Sequence, residues 1–278
     1  MIDQIIKFAF EEDIQEGDHT SLSCVPENAT GKAKLLVKED GVLAGMELAE
    51  RIFNYYDSDL KITAFKKDGD TIKVGEIAFE VEGKSQSILA TERIVLNFMQ
   101  RMSAIATQTR SVVDSIKHTD AKLLDTRKTT PGIRAIEKWA VKIGGGHNHR
   151  FGLYDMIMIK DNHIDYSGGI EAAITKANQY IQDKDLDIKI EIEVRDEKEL
   201  DEVLAIGNVD RIMLDNFTPE KIKEVLSKIP SNIETEASGG INKNNIVGYA
   251  ESGVNYISSG ALTHSVKSMD LSLKAIYN

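Results

Sequence analysis

IKIEIEV (188–194), RIMLD (211–215), IETEAS (233–238) and NYISSG (255–260) are four short apolar runs, each followed by a helix-like segment. Their terminal residues Glu193, Asp215, Ala237 and Ser259 recur about every 22 positions, the period of a strand followed by a helix. Two earlier runs, KLLD (122–125) and MIMIK (156–160), sit at intervals of about 34. Repeated βα units predict parallel strands, in a β/α barrel or an open α/β sheet. In either fold functional groups collect at the C-terminal ends of the strands.

Position along the strands therefore nominates the candidates. The first run delivers Asp125, Arg127 and Lys128, and the second Lys160, Asp161 and His163. The third ends in Glu191 or Glu193, the fourth in Asp215 and Asn216, the fifth in Glu236, Ser238, Gly239 and Gly240, and the sixth in Ser258, Ser259 and Gly260. Each alone reads as a cap, but together at one end of successive strands they read as a site. SGG and SSG are short glycine turns leading toward helices, where backbone N–H groups and a helix N-terminus hold phosphate. Glu193 and Asp215 suit Mg²⁺, or equally a salt bridge to Lys160 or Arg127 without metal. A lysine in an apolar strand also suits a Schiff base, although the charges around Lys160 favour an anion-holding role. HNHR (147–150) contains an HxH pair with no third ligand, a weak metal signal.

Charge points the same way. Residues 122–164 gather Lys122, Arg127, Lys128, Arg134, Lys138, Lys142, Arg150 and Lys160 against Asp125, Glu137, Asp155 and Asp161, about +4 in a chain of net charge −11. The cations stand mostly at the ends of apolar runs and not at helical spacing, so a pocket for an anion is expected. The acidic whole, with a pI near 5.1, argues against general nucleic-acid binding. The single cysteine, Cys24, excludes an internal disulfide and fits a reducing cytoplasm. No apolar run approaches a membrane span or an export signal.

Ahead of this region the pattern is different. Residues 1–23 read as a short helix and an acidic turn in which Asp18, His19 and Thr20 cap. Residues 31–83 alternate, with Ala33, Leu35 and Val37 and then Val74, Ile77, Phe79 and Val81 on buried faces. MELAERIFNYY (46–56) and residues 87–117 read as helices. The second helix carries Arg93, Asn97 and Arg101 at i, i+4 and i+8, a solvent face unless one of them reaches an anionic site.

Taken together, EEDIQEGDHTS, TERIVLNFMQRMSAIAT, DTRKTTPGIRAIEKWAVKIGGGHNHRFGLYDMIMIKDNHI, EIEV, IMLDNF, EASGGI and SGALTHS closely resemble the quinolinate phosphoribosyltransferase family, over nearly the whole chain. The resemblance implies an N-terminal α/β sandwich domain (1–115, joined by the C-terminal tail 266–278) and an incomplete parallel β/α barrel (116–265). It implies transfer of phosphoribosyl from phosphoribosyl pyrophosphate to quinolinate with decarboxylation, giving nicotinate mononucleotide, pyrophosphate and CO₂ in NAD biosynthesis. It further implies Arg127, Lys128, His149, Arg150 and Lys160 as substrate-binding residues, with Arg93 reaching the site of the other subunit of a cytoplasmic homodimer; a hexamer is also known in the family. Glu193 and Asp215 would work with Mg²⁺ and the ribose hydroxyls, and Ser238, Gly239, Gly240 and Gly260 would bind the 5-phosphate. Glu191 is expected to point away from Glu193. A nicotinate-using phosphoribosyltransferase, a transport-associated paralogue, a Schiff-base aldolase and a non-enzymatic phosphometabolite binder are the alternatives.

Overall fold

The computed structural model describes residues 1–276; residues 277 and 278, the end of the expected tail, lie outside the described residues. Two compact units are present. One comprises Met1–Arg110, Thr129–Gly145 and the chain from Leu262 onward, and the other Ser111–Lys128 and Gly146–Ala261.

In the first unit, α1 (Ile2–Asp13) buries Ile6 and Phe10 at i, i+4. Asp18 then caps α2 (His19–Cys24), its carboxylate accepting from the N–H groups of Thr20 and Ser21, each at 3.1 Å. Strand β1 (Thr30–Val37) buries Ala33, Leu35 and Val37 on alternate positions. After β2 (Gly41–Val42) come α3 (Met46–Tyr56), β3 (Lys61–Ala64), β4 (Thr71–Ile72), β5 (Ile77–Lys84) and the long α4 (Ser85–Ile116). Phe53 of α3 meets Phe79 of β5 edge to face, ring centroids 5.9 Å apart, which lays that helix on the sheet. Strands β3, β5, β1 and the final strand Leu271–Ile276 form one antiparallel sheet in that order. Val74, expected on a buried strand face, is instead exposed in the turn before β5, where its N–H donates to Asp40 Oδ1 at 2.8 Å.

The second unit is built from β6 (Lys122–Leu124), β7 (Ile157–Ile159), β8 (Ile190–Val194), β9 (Arg211–Asp215), β10 (Glu234–Ser238) and β11 (Tyr256–Ser258). All six runs read from the sequence are strands. They lie parallel in the order β6-β11-β10-β9-β8-β7, and the end strands β6 and β7 are not paired with each other. A lone parallel bridge from Leu124 to His147 lies beyond β6. This is the sheet of an incomplete barrel. Helices α6 (Asp161–Ser167), α7 (Ile170–Lys184), α8 (Glu197–Ile206), α9 (Pro219–Leu226) and α10 (Ile246–Ala250) fill the crossovers, with α5 (Arg134–Ile143) earlier and α11 (Ala261–His264) and β12 (Leu271–Ile276) closing the chain.

Residues 129–145, assigned to the barrel from sequence, cluster with the first unit. One contact within that unit is made by Glu137 of α5, which is fully buried and accepts from Arg101 of α4 through Nε at 3.0 Å and Nη2 at 2.8 Å and from the Thr130 N–H at 3.0 Å. Arg101 is thus an internal anchor and not part of a solvent face. Among the described residues no helix is long and apolar enough to cross a membrane.

Candidate active site

Period-two alternation turns every second residue of the parallel strands to one side, and at the C-terminal ends these residues line a cavity of about 240 Å³. Met158 and Lys160 come from β7 and its end, Met213 from β9, Glu236 and Ser238 from β10, and Ser258 from β11. Thr126, Arg127 and Lys128, just past β6, and His149 and Arg150 complete the wall. The HNHR segment is held here by β6. His147 N–H donates to the Leu123 carbonyl at 2.8 Å, Asp125 N–H to the His147 carbonyl at 3.1 Å, and His149 N–H to Oδ1 of fully buried Asp125 at 2.9 Å.

Of the cations in the basic stretch, Arg127, Lys128, Arg150 and Lys160 reach the cavity. Burial and then the Arg127 charge push the Arg150 pKa down. Two guanidiniums that repel one another in a partly desolvated wall favour an anion between them. Lys160 stands at the N-cap of α6, its backbone N–H donating to His163 Nδ1 at 3.0 Å, which leaves His163 a capping role. Its ammonium pairs with Glu193. Asp215 is pushed up by burial and by the neighbouring Glu193 charge, with Lys160 acting in the opposite sense.

Beneath this rim lies a second charge cluster. His149 Nε2 is 3.0 Å from Glu191 Oε2 and 3.2 Å from Glu236 Oε2, and Arg211 Nη1 is 3.2 Å from the same Glu236 oxygen. All four residues are buried. Glu191 therefore does not point away from Glu193. Positions two apart on a strand share a face, so Glu191 lies one layer deeper on the same side. Its carboxyl pKa is raised by burial and by the charge of Glu236. Burial opposes a charged His149 ring, but the two carboxylates outweigh it and would hold the pKa at about 9. Against this, Nδ1 accepts the Arg150 backbone N–H at 2.6 Å, and an imidazolium has no lone pair for that bond. The ring accordingly carries its proton on Nε2, toward the carboxylates. Nδ1 of His149 is taken by the Arg150 N–H and Nε2 faces the two carboxylates, while the ring itself lines the cavity.

Two groups invite a cation. His149, Glu191 and Glu236 bring potential ligand atoms within 4.8 Å of one another. The Nε2 proton and the Arg211 guanidinium already occupy that space, so the trio does not fit a metal. Glu193 and Asp215 are hard-oxygen donors at the rim, with Asp215 pushed up by burial and then by the Glu193 charge, and they fit Mg²⁺. His147 is exposed while His149 is buried, so the HxH pair does not converge.

At the end of β10, Ser238 lies opposite Asp215 in the ladder, and Gly239 and Gly240 take φ of +94° and +61°. The expected helix N-terminus is absent from this turn, because α10 starts only at Ile246 and Asn242 and Asn245 instead donate side-chain amides to the Gly240 carbonyl at 3.2 Å. A phosphate here would meet backbone N–H groups and not a helix dipole. Gly260 follows β11 and precedes the four-residue α11. Arg93 is exposed on α4, in the first unit. Sequence reasoning missed Arg211, which opens its strand instead of closing it, and underrated Glu236. The available signal was the i, i+2 spacing of Glu191 with Glu193 and of Glu234 with Glu236 and Ser238.

Comparison with known proteins agrees with this geometry. Residues 18–103 match the family model for the N-terminal domain of quinolinate phosphoribosyl transferase, and residues 105–274 that for its C-terminal domain. A chloroplastic carboxylating nicotinate-nucleotide pyrophosphorylase of Arabidopsis thaliana is 44% identical over 285 residues, covering 97% of this chain and 81% of that protein. A probable carboxylating nicotinate-nucleotide pyrophosphorylase of Bacillus subtilis is 44% identical over 270 residues, covering 97% and 92%. The crystal structure of NadC from Streptococcus pyogenes superposes with a TM-score of 0.93 at 38% identity, covering 100% of this chain and 97% of that one. With both domain models matched in order and relatives this similar over their length, the chain belongs to the quinolinate phosphoribosyltransferase family.

Proposed function

We propose that this protein transfers the phosphoribosyl group of phosphoribosyl pyrophosphate to quinolinate and removes the 2-carboxylate, yielding nicotinate mononucleotide, pyrophosphate and CO₂ for NAD biosynthesis. The observation that carries the reading is the convergence of Arg127, Arg150 and Lys160 on one cavity of about 240 Å³ beside the Glu193–Asp215 pair. Three cations suit a dianionic pyridine, and two carboxylates suit a sugar on which positive charge develops.

Arg127, Arg150 and Lys160 clamp the two carboxylates so that the ring nitrogen faces the anomeric carbon, a positioning effect. Lys128 serves quinolinate or the departing pyrophosphate. Glu193 and Asp215 stabilise the positive charge that grows on the ribose as its bond to pyrophosphate breaks. These two residues would also hold Mg²⁺, which supplies screening of the pyrophosphate charge. Ser238, Gly239, Gly240 and Gly260 hold the 5-phosphate. No general base is required, because the attacking nitrogen carries no proton. Decarboxylation leaves an electron pair on the carbon beside the pyridinium nitrogen, whose charge stabilises it until a proton arrives. His149, with its nitrogens turned inward, fixes the backbone of Arg150 and presents its ring to the substrate. A cytoplasmic homodimer in which Arg93 of the partner subunit completes each site extends this reading. The Lys160 side chain pairs with Glu193, a contact that forming a Schiff base would break.

The test is purified protein with phosphoribosyl pyrophosphate, Mg²⁺ and either quinolinate or nicotinate. Pyrophosphate release with quinolinate and none with nicotinate is expected; turnover of nicotinate alone would overturn the assignment.

A further inference from the structure

Asn216 follows Asp215 directly, just past the end of β9. Its φ is +58°, in the left-handed region that few residues other than glycine adopt and that asparagine tolerates best. Three contacts hold it there. Its backbone N–H donates to the Ser238 carbonyl at 2.9 Å, one step past the last ladder pair of β9 and β10. Its side-chain amide donates to Asp215 Oδ2. Gly239 packs over it so closely that a Cβ there would lie 2.3 Å from Asn216 Oδ1 and 2.8 Å from its backbone nitrogen. One residue thus touches both the carboxylate at the ribose site and the turn at the phosphate site.

We propose that Asn216 is a positioning residue that locks the Asp215 carboxylate and the Ser238–Gly240 turn into one unit, setting the distance between the ribose and 5-phosphate subsites for phosphoribosyl pyrophosphate. The proposal rests on the functional reading above. Its logic is that ribose and 5-phosphate belong to one molecule, so their two sites must be held at the spacing of that molecule. Neighbouring strand ends joined only by their ladder would leave each loop free to move separately. The left-handed backbone of Asn216 seats the glycine turn, and its amide orients Asp215, so its two halves make separable contributions.

Two substitutions separate those halves. Asn216→Ala disfavours the left-handed backbone and removes the amide; Asn216→Gly removes the amide but adopts the same φ without strain, so the fold is kept. For Asn216→Ala, KM for phosphoribosyl pyrophosphate is expected to rise about tenfold or more and kcat to fall, since small misplacements cost this much. For Asn216→Gly, KM is expected to return to within about threefold of the parent while kcat stays low, because the turn is restored and the carboxylate is not. Quinolinate binding, measured by calorimetry, should be unchanged in both. Parent-like constants in Asn216→Ala, identical behaviour of the two variants, or loss of quinolinate binding in both would each overturn the proposal. Calorimetry with ribose 5-phosphate gives an arm independent of turnover. Weakened binding in Asn216→Ala and retained binding in Asn216→Gly are expected, and equal binding to all three proteins would refute the coupling even if the parent turned over no quinolinate.

Discussion

The rim and the floor of the barrel mouth are built from the same kinds of residue, often on the same strand, yet they meet different physical conditions. At the rim, the Lys160 side chain is 42% exposed and its partner Glu193 12%. Water reaches the pair, so either charge can change partner when a substrate or cation arrives. Two positions earlier on β8, Glu191 is fully buried among His149, Glu236 and Arg211. A charge there cannot be re-solvated, and each partner is needed to balance the others. Ion pairs at the rim are exchangeable and serve chemistry, whereas those in the floor are fixed and serve the geometry of the residues above them.

The comparison breaks most visibly if a floor residue can be removed without cost. Glu236→Ala leaves Arg211 and His149 without their shared buried carboxylate, and a loss of about 3–5 kcal/mol is expected in denaturant unfolding. At the rim, Lys160→Ala should lower kcat/KM for quinolinate by about 10²–10³-fold, as for other preorganised electrostatic contacts, while unfolding changes by no more than about 1 kcal/mol. A Lys160→Ala protein that unfolds as readily as Glu236→Ala would erase the distinction.

The smallest expected effect lies below the floor. Although burial works to raise it, contacts from Lys189, Arg211 and Tyr256 hold the Glu234 pKa at about 2, below the usual 4.5. A carboxyl whose folded pKa is depressed contributes stability that is present above about 4.5 and lost as pH falls toward about 2. Unfolding measured at pH 5 and pH 3 should show that loss, and Glu234→Gln should reduce it.

Much of this was legible in the sequence, for reasons that particular residues make clear. The six strands could be read because strand-plus-helix periods repeat and because each run ends in polar or glycine residues. Arg127, Lys128, Arg150 and Lys160 could be nominated because they stand just past apolar runs, where parallel strands end. The face of Glu191 was legible as well, because residues i and i+2 of a strand share a side and Glu191 therefore goes with Glu193 and not opposite to it. Two things could not be read. Arg211 sits at the start of β9, where a search of strand ends does not look, and only the register that sets it beside Glu191 and Glu234 reveals its role. The contact of Glu137 in α5 with Arg101 in α4 joins two residues 36 positions apart that no local pattern connects.

Glu191 and Glu193 offer the most direct test, since they share a residue type, a strand and a face. Glu193→Ala and Glu191→Ala would be compared for thermal unfolding and for pyrophosphate release from quinolinate and phosphoribosyl pyrophosphate. The account predicts that Glu193→Ala unfolds like the parent but releases almost no pyrophosphate, and that Glu191→Ala is the one that loses thermal stability. A stable, inactive Glu191→Ala beside an unstable Glu193→Ala would contradict the division between rim and floor.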